Sequence, residues 1–294
     1  MMNTCQRPGV YRADLHVHSL FSDGLKTPEE LCDMACREGL SAVALADHDT
    51  VDGLPRMQQS AAACGLQWLP AVEIGSGKSG RTHILCYGPG VQSPEMVAFF
   101  REMSQTRKAR AQEMVRLLEK QGIRLTDEAM KLLDRPNVSR PHVARALVAS
   151  GVVDTTDEAF DRYLAEGKSA YVPRRLLSAQ ETVALARRLH AVPVLAHPVR
   201  LKMEEPAMFA FILALKEAGL MGVEAFHPSA SPRMAGQLEA LARRENLLVT
   251  GGSDYHGDPC AHARVGGLAP GWAGVQADVE ALLQAAATET NFSR

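Results

Sequence analysis

Histidine, aspartate and glutamate side chains, which bind divalent metal ions, are concentrated at a few points of this sequence. His16 and His18 are separated by one residue, so in an extended segment both imidazoles lie on the same side. The other candidate metal ligands are Asp23, His48, Glu73, His83, His197, Asp254 and His256. Because this set exceeds the roughly four to six ligands of a single ion, we expect two or three ions. Imidazole and carboxylate donors without a nearby cysteine favour Mn²⁺, Zn²⁺ or Fe²⁺.

The elements that must position these donors are predicted to be short, continuously apolar strands, as in a parallel sheet that is buried on both faces. The candidate strands cover residues 12–16, 42–46, 69–73, 83–87, 192–196, 222–225 and 247–250. Almost every donor lies at or just after the carboxyl end of a strand, whereas His83 begins one. Because α/β barrels build their active sites on the face formed by these strand ends, we expect the donors to meet there.

Helices are predicted between many of these strands. Thr27 and Glu30, like Ser178 and Glu181, have the spacing of a capping box, in which side chains bond the backbone N–H groups at a helix start. The repeated alternation of strand and helix predicts a parallel α/β sheet or barrel.

A central segment interrupts this alternation. From about residue 93 to residue 175 the strand pattern stops, and a long charged helix over 94–121 is followed by shorter helices. We therefore predict a helical insertion at 93–175, with the barrel formed by residues 12–92 and 176–290.

Four short motifs, taken in chain order, resemble the signature of the PHP superfamily (polymerase and histidinol phosphatase). They are His16-Val17-His18, Ser22-Asp23-Gly24, Ala46-Asp47-His48-Asp49-Thr50 and Gly252-Ser253-Asp254-Tyr255-His256-Gly257. The resemblance covers the barrel segments. It implies an α/β fold, a distorted TIM-like (β/α)7 barrel, with a trinuclear metal centre, and the strands predicted above agree with it.

The resemblance also implies how the ligands divide among three ions. The first ion would be held by His16, His18 and Asp254, with Glu73 bridging to the second. The second would be held by Glu73, His83 and His197, and the third by Asp23, His48 and His256. Some members of the superfamily have histidine in place of Asp23, and a carboxylate there favours a harder ion such as Mn²⁺.

Three further strings narrow the resemblance to one branch. The strings 137–142, 170–173 and 226–228 are similar to the 3′,5′-nucleoside bisphosphate phosphatases, also described as 5′→3′ exoribonucleases. The branch implies removal of the 3′-phosphate from nucleoside 3′,5′-bisphosphates, for example pAp to AMP and phosphate, and trimming of short 5′-phosphorylated RNA. Our hypothesis is that a hydroxide bridging two ions attacks phosphorus in line. The alternatives are a histidinol-phosphate phosphatase and a non-catalytic PHP module of a polymerase-type assembly.

Residues outside the ligand set are candidates for proton transfer and substrate binding. His227 is a candidate general acid or a hydrogen-bond partner of a ligand, and Asp49 is a candidate to contact substrate or to orient a ligand imidazole. The candidates for binding a second phosphate are Arg107, Arg110, Ser139, Arg140 and His142. The first two share a helix face, and the others lie at a helix start, where backbone N–H groups favour an anion.

Composition limits the remaining classes of function. The chain has 294 residues and a net charge of −2, which argues against a generally basic surface that coats nucleic acid. No run approaches about 20 apolar residues, and the N-terminal segment lacks the apolar stretch of a secretory signal. We therefore expect a cytoplasmic protein with no membrane partner. The branch resemblance implies that it binds a small nucleotide and short single-stranded RNA, and no obligate protein partner is evident in the sequence.

Overall fold

Seven strands form one sheet in the computed structural model, which describes residues 11–77, 80–174, 176–257, 264–267 and 276–291. The strands are β1 (Ala13–Val17), β2 (Ala42–Leu45), β3 (Gln67–Ser76), β4 (Thr82–Tyr87), β5 (Val192–Leu195), β6 (Gly222–Phe226) and β7 (Leu248–Gly251), and they are neighbours in chain order. Val17 also forms a parallel bridge with Tyr255, just after β7, so the sheet nearly closes. The predicted seven-stranded distorted barrel is confirmed.

One strand departs from the predicted parallel arrangement. β4 is antiparallel to both β3 and β5, whereas the other neighbouring pairs are parallel. The link between β3 and β4 is short, and in it Gly77 and Gly80 have positive φ angles, which glycine adopts without strain. The reversal brings the amino end of β4, with His83, to the face where the other strands have their carboxyl ends.

Helices flank the strands and fill the central segment. They are α1 (Pro28–Arg37), α2 (Leu54–Cys64), α3 (Pro94–Glu119), α4 (Asp127–Lys131), α5 (Arg140–Ala149), α6 (Thr156–Ala159), α7 (Ala179–Arg188), α8 (Glu205–Glu217), α9 (Pro232–Arg244) and α10 (Gln276–Asn291). Thr27 and Ser178 form the predicted capping boxes. Helix α2 lies outside the predicted helices, because Gly53 precedes it without a capping side chain. Within the described part of the chain, no helix is long and apolar enough to cross a membrane.

The chain divides into two compact units. The first contains Met1–Val97 with Leu176–Arg294 and holds the sheet, and the second is Ala98–Arg175. The second unit has an apolar core of its own, which includes Met114, Leu118, Val143, Leu147 and Leu164. Its helices therefore have a packed interior independent of the sheet.

Candidate metal centre

The predicted metal ligands come together where most strands of the barrel end and β4 begins. Within each of three groups, the ligand atoms lie within 4.8 Å of one another. The groups are His16, His18, Glu73 and Asp254; His18, Asp23, His48 and His256; and His48, Glu73 and His83. The remaining predicted ligand, His197, places Nε2 2.9 Å from Glu73 Oε1. The structure thus brings the whole predicted set to one site, while the binding of metal by these residues stays a prediction.

Glu73 is the common member of this site, because its two oxygens face five imidazoles. Oε1 lies 2.7 Å from His83 Nδ1 and 2.9 Å from His197 Nε2, and Oε2 lies 3.2 Å from His16 Nε2, 3.3 Å from His18 Nε2 and 3.1 Å from His48 Nδ1. Burial acts to raise the pKa of Glu73, but the surrounding imidazoles together hold it well below its usual range. An ionised carboxylate with ring nitrogens at both oxygens is suited to bridge two cations.

Several donor atoms of the site are buried without a hydrogen bond to any described residue. They are His16 Nε2, both ring nitrogens of His18, Glu73 Oε2 and His197 Nδ1. A buried polar atom without a partner is costly, and most such atoms in proteins are paired. Lone pairs of imidazole and carboxylate that point at one another are satisfied by a shared cation. The donor set therefore fits divalent metal ions.

The charges around Asp23, His48 and His256 are also arranged for a cation. Burial acts to raise the pKa of Asp23, but neighbouring imidazoles, among them His256 with its Nε2 3.3 Å from Asp23 Oδ1, bring it well below its usual range. Burial lowers the pKa of His48 to about 3, so this ring is neutral and keeps a lone pair for a metal ion. An ionised carboxylate beside a neutral imidazole is a donor pair that Mn²⁺, Fe²⁺ and Zn²⁺ all accept.

Glu224, a residue that the sequence interpretation missed, supports two of the candidate ligands. Its Oε1 accepts a hydrogen bond from His16 Nδ1 (2.9 Å), and its Oε2 accepts one from the backbone N–H of His197 (2.7 Å). With the proton on Nδ1, the Nε2 lone pair of His16 is turned into the site. The backbone φ of His197 is a strained 26°, and the hydrogen bond from its N–H to Glu224 Oε2 helps to hold this conformation. The available signal was an acidic residue inside the apolar run of β6.

We expect Glu224→Gln to lower metal affinity and activity by about 10- to 100-fold, the usual effect of removing a carboxylate behind a ligand histidine. Glutamine keeps one oxygen, so it can accept only one of the two hydrogen bonds that Glu224 receives, and its NH₂ group would face the donor of the other. Elemental analysis and steady-state kinetics measure the effect. Glu217→Gln, at an exposed position in α8, is the matched control and should change neither quantity. Full metal content and full turnover in Glu224→Gln would show that the carboxylate does not support the site.

Two buried aspartates hold the loops that carry ligands. Asp47 accepts hydrogen bonds from the backbone N–H of Ser19 (2.7 Å) and from the hydroxyls of Ser19 (2.6 Å) and Ser22 (2.5 Å), which fixes the loop before Asp23. Asp14 accepts the backbone N–H of Ser253 at 2.9 Å, which fixes the segment before Asp254. Both aspartates therefore act on the backbone that carries ligands.

The structure places both candidate catalytic residues at the same site. The Nδ1 atom of His227 accepts the backbone N–H of Ser229 (3.0 Å) in a neutral ring, whose proton then lies on Nε2, 3.3 Å from Asp254 Oδ2. Asp49 is fully buried, and its Oδ1 accepts the backbone N–H of Gly75 in β3 at 3.3 Å. This bond ties Asp49 to β3, and its two predicted roles, contact with substrate and orientation of a ligand imidazole, both stay predictions.

Four arginines of the second unit lie close enough to interact electrostatically, and three of them are predicted phosphate-binding residues. Burial, followed by the charges of Arg140, Arg174 and Arg107, lowers the pKa of Arg110 to about 9. Arg110 Nε donates to the backbone oxygen of Val172 at 2.7 Å. A concentration of positive charge that depresses the pKa of an arginine favours the binding of an anion. We call Arg107, Arg110, Arg140 and Arg174 the arginine group.

Ser139 and His142, the other two predicted residues, lie at the start of α5. His142 Nδ1 accepts the backbone N–H of Ser139 at 3.1 Å, so the proton of a neutral His142 ring lies on Nε2, which is then a donor. Asn137, which was not among the predicted site residues, is 4% exposed, and its Oδ1 has no hydrogen-bond partner within the described residues. Its backbone φ of 54° is one that asparagine tolerates better than most residues.

The sequence and the fold of this chain are similar to those of several known proteins. Residues 14–89 match the family model of the PHP domain. The chain is 32% identical over 254 residues to a 5′-3′ exoribonuclease of Haemophilus influenzae, covering 86% of this chain and 92% of that protein. It is 35% identical over 246 residues to a 3′,5′-nucleoside bisphosphate phosphatase of Chromobacterium violaceum, covering 83% and 86%. A solved structure from Bifidobacterium adolescentis, assigned as a metal-dependent phosphoesterase, aligns with a TM-score of 0.81 and 29% identity over 95% of this chain and 98% of that one.

Proposed function

This chain belongs to the PHP-domain family, and on that premise we propose that it is a phosphoric ester hydrolase that removes the 3′-phosphate of nucleoside 3′,5′-bisphosphates. We propose trimming of short 5′-phosphorylated RNA as a second activity of the same site. The observation that carries the proposal is the meeting of Glu73 with five imidazoles in one buried site. The names of the two curated relatives support the choice of substrates.

The donor set would hold the metal ions that such a reaction needs. His16, His18 and Asp254 would hold the first ion, with Glu73 bridging to a second on His83 and His197, and Asp23, His48 and His256 would hold a third. When bound, divalent ions activate water and neutralise charge on phosphoryl oxygens. We propose three ions and Mn²⁺ as the preferred metal, because Asp23 adds a carboxylate to its group.

Proton transfer to the leaving group is assigned to His227. Departure of the ribose 3′-oxygen leaves an alkoxide, which must gain a proton from a group within hydrogen-bond distance. His227 Nδ1 lies 2.7 Å from Ser229 Oγ and its Nε2 lies 3.3 Å from Asp254 Oδ2, a candidate ligand, so a doubly protonated ring would have a partner for each N–H. Such a ring would give the Nε2 proton to the alkoxide and become neutral. The proton therefore lies at the edge of the site where the ester would be cleaved.

The arginine group, with Ser139 and His142, is proposed to bind the second phosphate of the substrate. A nucleoside bisphosphate and 5′-phosphorylated RNA share a terminal 5′-phosphate next to the ester that is cut. Arginine suits this task because its planar N–H donors match phosphate oxygens. One anion would also relieve the repulsion that lowers the pKa of Arg110.

We expect Arg110→Gln to raise KM for the bisphosphate by about tenfold or more, since a hydrogen bond to a charged group contributes roughly 1.5–3 kcal/mol. Turnover of a nucleoside 3′-monophosphate, which lacks the 5′-phosphate, should be unaffected. Steady-state kinetics on both substrates measure the difference, with the exposed Arg124→Gln as control. An equal loss on both substrates would contradict this assignment.

A substrate panel tests the function itself. Protein loaded with Mn²⁺ is assayed with a nucleoside 3′,5′-bisphosphate, the corresponding 5′-monophosphate, histidinol phosphate and a short 5′-phosphorylated RNA. The bisphosphate should be hydrolysed fastest among the small substrates. Equal or faster turnover of the 5′-monophosphate would contradict the proposal. Preference for histidinol phosphate would favour that alternative, and inactivity on all four would favour the non-catalytic module. The cytoplasmic location stays a prediction.

A further inference from the structure

Arg200 lies beside the metal centre but is neither a predicted ligand nor a predicted substrate residue. After β5, His197 is followed at once by a single 3₁₀ turn, Pro198–Leu201, in which the Arg200 backbone N–H donates to the His197 oxygen at 2.9 Å. Lys202 ends the turn in the left-handed conformation, with φ 56°. This compact turn keeps Arg200 close to the strand ends that carry the ligands.

The guanidinium of Arg200 donates a hydrogen bond to one of the two carboxylate oxygens of Asp254. Arg200 Nη1 donates to Asp254 Oδ2 at 2.5 Å, and His227 Nε2 lies 3.3 Å from the same oxygen. The other oxygen, Oδ1, faces His18 Nε2 at 3.1 Å and His16 Nε2 at 3.5 Å. Asp254 therefore has candidate ligand atoms on its Oδ1 side and N–H donors on its Oδ2 side.

The exposure of the two side chains differs sharply. The Arg200 side chain is 53% exposed and that of Asp254 is 8% exposed. A guanidinium carries five N–H donors in a planar fork, and the bond to Asp254 uses one of them. Among the described residues, Asp254 is the partner recorded for this side chain. Arg200 therefore bonds a candidate ligand with one N–H group and presents its other N–H groups to solvent.

We propose that Arg200 binds the phosphoryl group that is cleaved, with its remaining N–H donors directed at the non-bridging oxygens. The inference deepens the proposed function and rests on it, because it requires a phosphate ester at this centre. The arginine group of the second unit is assigned to the other phosphate, so the two sets of cations have different tasks. Arg200 should therefore contribute to the binding of inorganic phosphate, the product, as well as to the binding of the ester.

The test compares Arg200→Gln and Arg200→Lys with Arg244→Gln, a control in which an exposed arginine also pairs with an acidic neighbour. Binding of inorganic phosphate to Mn²⁺-loaded protein is measured by calorimetry, and metal content by elemental analysis. The titrations are repeated in the Arg110→Gln background, so that phosphate bound by the arginine group is not counted.

Arg200→Gln should weaken phosphate binding about tenfold and lower kcat/KM by about 100-fold with metal content unchanged. Arg200→Lys should recover part of the loss, because lysine keeps the charge but not the fork. Unchanged phosphate affinity, or loss of metal in step with activity, would overturn the proposal, since Arg200 would then only position Asp254. A lowered phosphate affinity together with no bisphosphate hydrolysis by the unsubstituted protein would support this inference and contradict the proposed function alone.

Discussion

Glu73→Gln is expected to remove bound metal and activity together, with kcat/KM reduced by more than about 100-fold, the upper range for loss of a mere supporting carboxylate. Glutamine keeps the size of the side chain but has one oxygen and no charge. Its amide nitrogen would present N–H groups to imidazoles that now face a carboxylate. Since Glu73 is shared between two of the three ligand groups, both should be weakened by a single substitution.

The measurement is metal per chain after dialysis, together with hydrolysis of the bisphosphate at saturating Mn²⁺. Glu95→Gln provides the control, because Glu95 is 61% exposed and pairs only with the exposed Arg188 among the contacts described. Retention of metal and turnover by Glu73→Gln would mean that the carboxylate does not bridge cations. The proposed metal centre would then have to be abandoned.

His227→Asn is expected to lower kcat by about 10²- to 10⁴-fold, the usual contribution of a general acid or base, without loss of metal. Asparagine can still accept the backbone N–H of Ser229 but has no proton to transfer to an alkoxide. The loss should be much smaller on p-nitrophenyl phosphate, whose leaving group departs without protonation. Kinetics on both substrates, with elemental analysis, measure the effect.

His190→Asn is the matched control for this substitution. His190 precedes β5 at the opposite end of the strand from His197, and its positive φ of 58° is one that asparagine adopts readily. It should keep metal and turnover. A His227→Asn protein with full metal content and full turnover would remove His227 from the mechanism and leave it as a hydrogen-bond partner of Asp254.

The meeting of the candidate ligands at one site could be predicted because its signal is local. A polar residue at the end of an apolar strand stands out in the sequence, and barrel geometry brings such ends together. The direction of β4 could not be predicted in this way, because continuous apolar strands look the same in either direction. His83 nevertheless reaches the site, since reversal of its strand places the amino end there.

The supporting residues were harder to predict because their roles depend on distant partners. Glu224 contacts His16, which is 208 positions away in the sequence, and nothing near Glu224 indicates that partner. Asp49 is a second case: its place next to His48 suggested contact with substrate or orientation of a ligand imidazole, and its bond from the Gly75 backbone N–H could not be foreseen from that place. Sequence spacing thus identifies side chains able to bind metal, and three-dimensional packing decides which carboxylates hold them in place.

The junction between β1 and the segment after β7 has a consequence for biosynthesis. His18 N–H donates to the Tyr255 oxygen at 2.9 Å, and Asp254 N–H donates to the His16 oxygen at 2.8 Å. The first group of candidate ligands is therefore completed by residues that lie far apart in the sequence. A nascent chain emerges from the ribosome amino end first, so His16, His18 and Glu73 are synthesised well before Asp254. Translation products that stop before Asp254 consequently lack a complete first group of candidate ligands.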